Sequence, residues 1–170
     1  MTQFTITQDL PCSVEAFWTS FLDSEFVVRA FTAIGFAKYE ILEVQDDPAR
    51  LLRRADARPP IDAPSVVQKI LGPSFGYVEE GWFDRATRTW TWSANPSVLA
   101  ERSCMEGRLL VEPLPRAGHP EGCRTKFEAT LEVKMLGLGG LVESTGEKSI
   151  RTSWTKFGDF CASAIPRAAS

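Results

Sequence analysis

Six side chains combine acid–base chemistry with a predicted place on a strand or on the last helix. They are Glu79, Glu80, Glu106, Glu143, Tyr39 and Tyr77. Adjacent residues of a strand point to opposite faces, so either Glu79 or Glu80 must face inward. A buried glutamate needs a partner, which Arg54 or Arg108 could supply from a nearby strand. We therefore favour a structural ion pair, with a carboxylate-based reaction as the alternative.

Other catalytic chemistries lack the residues that they need. His119 is the only histidine, and the segment around it, PLPRAGHPEG, predicts an exposed loop. Ser–His–Asp and Cys–His arrangements would both require that histidine in the site. The four cysteines are scattered without a CxxC pair, whereas zinc takes about four convergent ligands. We expect no catalytic nucleophile, no metal and no cofactor, and therefore binding without turnover.

The overall composition is that of an ordinary globular protein. The chain has 170 residues, of which 44% are hydrophobic and 24% charged, and we expect one domain spanning 1–170. A net charge of -3 gives no electrostatic attraction to nucleic acid. Arg50, Arg53, Arg54 and Arg58 cluster in sequence, and we interpret them as a solvated strand face.

The N-terminal sequence MTQFTITQDLP alternates polar and apolar residues, which is unlike a signal peptide. No stretch of the sequence approaches the ~18 uninterrupted apolar residues of a membrane span. We expect a cytoplasmic protein with reduced thiols.

Hydrophobic periodicity predicts an α+β order of elements. Phe4 and Ile6 mark a first strand, and two short helices follow over 14–22 and 24–34. Six further strands are predicted at 36–46, 49–57, 75–84, 87–94, 103–113 and 123–135, and the inward-facing positions of 87–94 stay open. Residues 141–165 predict a helix ~37 Å long. The prediction is a seven-stranded antiparallel curved sheet with the long helix across its concave face.

Two segments are candidates for a gate over the space between helix and sheet. Residues 59–72 interrupt the strands and carry Val66, Val67, Ile70 and Leu71; they form either a mobile lid or a packed helical crossover. The glycine-rich segment 136–142 carries Leu138 and is either part of the same opening or a strand-to-helix turn.

Several short motifs resemble known families. The stretch 64–112, with Lys-Ile-Leu-Gly at 69–72 and Tyr-Val-Glu-Glu before Trp82, resembles the PRELI-domain lipid carriers. The opening TQFTITQDLPCSVEAFWTSFLDSEF is similar to a functionally undescribed bacterial START-like family. Both belong to the START/SRPBCC superfamily, and the resemblance implies a helix-grip fold with a ligand cavity. PRELI carriers hold a phospholipid, but Glu143 and Glu147 here would disfavour an anionic headgroup.

These observations together predict a protein that binds a hydrophobic small molecule, a lipid, for carriage, transfer or sensing. The expected partners are that molecule and, transiently, a membrane surface. The alternative is a cavity enzyme of the polyketide cyclase/aromatase kind. Residues predicted to line the cavity are Phe31, Tyr39, Tyr77, Trp82, Trp92, Met105, Phe127, Leu131, Glu143, Gly146, Ile150 and Trp154.

Overall fold

The computed structural model describes residues 1–116 and 119–168, with the backbone alone at 115, 116, 119 and 120. The strands and helices follow one another in an α+β order. The strands are β1 (Thr2–Leu10), β2 (Lys38–Asp46), β3 (Arg50–Arg58), β4 (Tyr77–Asp84), β5 (Thr89–Pro96), β6 (Ser103–Arg116) and β7 (His119–Val133). The helices are α1 (Val14–Leu22), α2 (Ser24–Ala33), α3 (Ser65–Leu71) and α4 (Gly139–Ala164), with a 3-10 turn at Ala100–Arg102.

All seven strands form one curved antiparallel sheet in the order β1-β7-β6-β5-β4-β3-β2. The predicted fold class is confirmed, because β2 to β7 pair in chain order and β1 pairs with β7. The prediction of a long loop around His119 is wrong: β6 and β7 continue to a pair formed by Arg116 and His119. The side chain of His119 lies outside the described part of the chain.

Helix boundaries follow from the capping residues that the sequence places there. Ser13 precedes α1, and its hydroxyl accepts a hydrogen bond from the Ala16 backbone N–H at 3.1 Å. Asp23 performs the same function for α2 by accepting from Glu25 at 2.8 Å. Gly35 follows α2 with φ +104°, a conformation that favours glycine. Within the described residues, no helix is both long and apolar enough to cross a membrane.

One end of the space between α4 and the sheet is solidly packed. Phe21 of α1 makes edge-to-face contacts with Trp90 at 5.2 Å and with Phe157 of α4 at 6.1 Å. Leu109 and Cys161 complete this layer with no solvent exposure. The two short helices therefore close one end of the fold, and any open space must lie toward the other end.

Candidate functional site

A mostly apolar cavity of about 140 Å³ lies between the first half of α4 and the inner face of the sheet. Trp92, Phe127 and Trp154 form its inner end as a stack of three rings. The Trp92 and Phe127 centroids are 5.4 Å apart, and those of Phe127 and Trp154 are 4.3 Å apart. At the opposite end, Leu71 of α3 and Val142 of α4 contribute to the wall. The stack separates the cavity from the solid aromatic core.

Alternation along the strands decides which side chains reach the cavity. Tyr77 and Glu79 of β4 share the inner face with Gly81, where a Cβ atom would overlap the ring of Trp90. Glu79 pairs with Ala94 of β5, and both line the cavity. Trp90 and Trp92 of β5 therefore face inward, which settles the orientation that the sequence left open.

Ten of the twelve predicted residues line this cavity. Those on helices are Phe31, Glu143, Gly146, Ile150 and Trp154, and those on strands are Tyr77, Trp92, Met105, Phe127 and Leu131. The sequence analysis missed Phe36, Phe75, Val98 and Val133, which also contribute to the wall. Val133 continues the alternation of Phe127 and Leu131 on β7, so period two could have identified it.

Two of the predicted cavity residues lie elsewhere. Trp82 is an even-numbered residue of β4, so it points to the outer face and lies near Thr91 and Arg108 in a shallow depression. Tyr39 is on the inner face of β2 but stacks against Phe31 with ring centroids 4.3 Å apart. Phe31 lines the cavity and Tyr39 does not. Both assignments to the cavity wall are corrected.

The candidate carboxylates separate between the two faces of the sheet. Glu79 lines the cavity, whereas Glu106 lines the depression on the outer face. Glu80 is exposed and lies 3.6 Å from Arg54. Arg108, the other expected partner, pairs with Glu128 on the outer face. The ion pair predicted for the inward glutamate is therefore wrong, because both arginines face away from Glu79.

Glu79 is a carboxylate without a hydrogen-bonding partner. No residue in the described part of the chain donates a hydrogen bond to it or forms an ion pair with it. Burial raises the pKa of Glu79 above the usual glutamate value, and the positive charge of Arg53 opposes that rise. The hydroxyl of Tyr77 is also without a hydrogen bond within the described residues, and burial raises its pKa. Their polar atoms are available to a bound molecule.

Glu143 is on the same wall, but its pKa is shifted in the opposite direction from that of Glu79. Its carboxylate accepts hydrogen bonds from the Val133 backbone N–H and from the Thr2 hydroxyl, both at 2.8 Å, and the Met1 ammonium lies 3.2 Å away. Burial disfavours the charged form, but the hydrogen bonds from Val133 and Thr2 outweigh it and lower the pKa of Glu143. Glu143 therefore fixes α4 to β1 and β7.

Arg53 corrects the interpretation of the arginine cluster as a solvated face. It is only 2% exposed, and its guanidinium donates to the Phe21 carbonyl oxygen at 2.7 Å while lying 4.8 Å above the Trp90 ring. Leu51, Arg53 and Ala55 alternate onto the inner face of β3. The alternation with apolar neighbours was a signal that could have identified Arg53 as buried.

The predicted gate residues lie at the open end in different environments. Val67 has no exposure, Leu71 lines the cavity, Ile70 is half-buried and Val66 is 40% exposed. Leu138 is half-buried immediately before α4, in a turn in which Gly137 has φ +75°. Residues 59–72 thus form a packed crossover, whereas 136–138 form a turn that leads into α4 and 139–142 are the first residues of that helix.

The polar contacts between the crossover and α4 are exposed. Ser149 donates to the Pro60 carbonyl oxygen at 3.1 Å, and Lys148 lies 3.0 Å from Asp62. Such solvent-exposed pairs contribute only ~0–1 kcal/mol each.

Sequence comparison assigns the family. A family described as "protein of unknown function (DUF2505)" matches residues 5–165. The chain belongs to the DUF2505 family. Its match extends from β1 to the end of α4 and so includes every element around the cavity. No curated protein matches this DUF2505 chain.

Solved structures similar to this DUF2505 member show its fold. TTHA0849 from Thermus thermophilus superimposes with a TM-score of 0.62 at 15% identity, covering 96% of this chain and 99% of that one. The Zhui aromatase/cyclase from Streptomyces sp. R1128 gives a TM-score of 0.58 at 11% identity, covering 96% of each chain. A Caulobacter crescentus protein, CC1736, gives 0.54 at 11% identity, covering 94% and 95%. The shared architecture is helix-grip-like.

Proposed function

We propose that this protein binds a hydrophobic small molecule in the cavity between α4 and the sheet, for carriage, transfer or sensing. The observation that carries the proposal is the cavity itself, because protein interiors are otherwise packed with few voids larger than a water molecule. Its walls are aromatic and aliphatic over most of their area, as in other small-molecule sites. Membership of the START/SRPBCC superfamily, whose resemblance covers most of the chain, is part of this proposal.

The cavity volume limits the ligand. About 140 Å³ is close to the ~150 Å³ of an engineered cavity that binds benzene. We propose a slim ligand, one ring or a single alkyl chain, and a single-chain lipid meets this condition if its tail extends toward Leu71 and Val142. A two-chain phospholipid, which the PRELI resemblance implied, would require the crossover and α4 to separate.

A membrane surface is the proposed place of loading. Leu136 is fully exposed, and Val66 and Leu141 are 40% and 38% exposed; the last two adjoin Val67 and Val142, which pack together near the cavity. Liposome co-sedimentation tests this: Leu136→Ser should reduce binding, since each inserted side chain contributes ~1.5–3 kcal/mol. Leu42→Ser, at an exposed position of β2, is the matched control. Equal losses for both variants would refute the proposed surface.

A toluene titration followed by tryptophan fluorescence tests the binding proposal, because Trp92 and Trp154 line the cavity. Ala94→Phe would fill the space with a ring of about the same size as the ligand. Ser93→Phe places the same ring on the outer face, since Ser93 is exposed. Saturable binding to wild type and Ser93→Phe, lost in Ala94→Phe, is expected. Equal binding to all three would locate the ligand outside the cavity.

A cavity enzyme is the second candidate. Glu79 and Tyr77 favour it, since a carboxyl with a raised pKa inside a cavity suits proton transfer. The fold likeness to an aromatase/cyclase adds to it. If the protein is such an enzyme, a bound molecule is chemically altered on incubation, and the alteration disappears in Glu79→Gln, while Glu80→Gln and Glu106→Gln retain it.

A further inference from the structure

The carboxylate of Glu79 lies deep on the cavity wall. Counted inward from the mouth, β4 contributes Tyr77, then Glu79, and then Gly81, which lies against the aromatic core. Glu79 therefore occupies the last position of β4 that carries a polar atom before the solid end. It is the deeper of the two carboxylates on the described cavity wall, since Glu143 is anchored to the end of β7 at Val133.

The carboxylate of Glu79 is half-buried and faces the cavity, where no donor from the described residues replaces the water that burial removes. A polar group that loses water and gains no hydrogen bond destabilises the fold. Glu80, the next residue, has Arg54 nearby, and Glu143 has Val133 and Thr2. Local departures of this kind are expected where function requires them.

The charges around Glu79 restrict what could meet it. An anionic group would be repelled by Glu79 itself and by Glu143. A cationic group would be repelled by the charge of Arg53, whose guanidinium lies outside the cavity but on the strand next to Glu79, diagonal to it, since Arg53 pairs with Gly81 and Ala55 with Glu79. Diagonal positions are ~7–8 Å apart. A neutral hydrogen-bond donor fits both constraints.

We propose that the ligand is a neutral alcohol whose hydroxyl donates a hydrogen bond to Glu79, with its apolar body extending toward Leu71 and Val142. This inference rests on the proposed binding function and specifies its ligand class. The hydroxyl lies at the inner end and the apolar part along Met105 and Ile150. Glu79 thereby selects hydroxylated molecules over hydrocarbons of the same shape.

A matched ligand pair tests the assignment: hexan-1-ol and 1-fluorohexane have similar size, but only the alcohol donates a hydrogen bond. Calorimetric titration gives the ratio of their affinities for wild type and for three variants. Glu79→Leu should lower the alcohol-to-fluoride ratio about tenfold or more. Glu79→Gln retains an acceptor oxygen and should retain most of the ratio. Glu80→Leu, on the outer face, should leave it unchanged.

The outcomes separate this inference from the function on which it rests. If neither ligand binds wild type, the binding proposal fails and this inference with it. If both bind and Glu79→Leu leaves the ratio unchanged, the cavity binds ligands but Glu79 does not select the hydroxyl. Tighter binding of hexylamine than of hexan-1-ol to wild type would also overturn the inference, because the ligand class would then be cationic. Thermal melts of each variant verify that it is folded.

Discussion

Glu79 and Arg53 face the same side of the sheet from neighbouring strands, at diagonal positions, and do not form an ion pair. Arg53 donates to the Phe21 carbonyl oxygen at 2.7 Å and lies over aromatic rings, so its guanidinium is held away from the cavity. Glu79 remains on the cavity wall with a pKa raised by burial. This separation of opposite charges distinguishes the site from an ordinary buried salt bridge.

Glu79→Gln should raise the melting temperature at neutral pH, because it removes a partly desolvated charge to which no described residue donates a hydrogen bond. The folded state binds the Glu79 proton more tightly than the unfolded state does. Ionisation therefore destabilises the fold as pH rises from the unfolded pKa of ~4.3 through the raised folded value. The advantage of the variant should be smallest near pH 4 and grow with pH. A pH-independent difference, or a loss of stability, would contradict the description of Glu79.

Glu143→Leu should destabilise the protein, lowering the free energy of unfolding by about 1–3 kcal/mol, because it leaves the Val133 N–H without its acceptor. The pKa of Glu143 is lowered by its hydrogen bonds, so its contribution is present above the unfolded pKa. That contribution is lost as pH falls through the lowered folded pKa. Chemical denaturation at several pH values measures it. Glu147→Leu, one turn further along α4, should be nearly neutral; equal costs would refute the anchoring role.

Trp154→Ala should reduce the free energy of unfolding by about 3–5 kcal/mol. Its ring stacks between Phe127 at 4.3 Å and Phe157 at 5.0 Å, joining the cavity wall to the solid core. Trp82→Ala removes the same side chain from the outer face and should cost less than half as much. Similar losses for the two variants in urea denaturation would show that α4 is not packed as described.

Residues 65–71 should exchange their amide hydrogens faster than β4 if the crossover is a gate. The segment is a helix of seven residues that packs against α4 through Val67 and Leu71, whereas β4 is hydrogen-bonded to a strand on each side. Lys148→Ala removes the contact with Asp62 and should accelerate exchange further. Lys156→Ala, exposed on the second half of α4, is the control. Exchange as slow as that of β4 would leave 59–72 as a fixed crossover.

Period-two alternation predicted the sheet, and the spacing of apolar residues predicted α1, α2 and α4. The cavity positions on α4 followed from the helical stripe through Ile150 and Trp154. What the sequence did not resolve was the choice between Glu79 and Glu80, because both faces of β4 carry aromatic residues. The absence of a partner for Glu79 among the described residues was beyond prediction, since it depends on where the arginines of other strands point.

Methyl NMR with toluene tests the central claim most directly, because it reports where a small apolar molecule lies. The prediction is that toluene protons show intermolecular NOEs to the methyl groups of Met105, Leu131 and Ile150, which line the cavity. Val27 and Leu109 are fully buried in the solid core and should show none. NOEs confined to exposed methyl groups such as those of Leu136, or shared equally with Val27 and Leu109, would contradict a ligand cavity between α4 and the sheet.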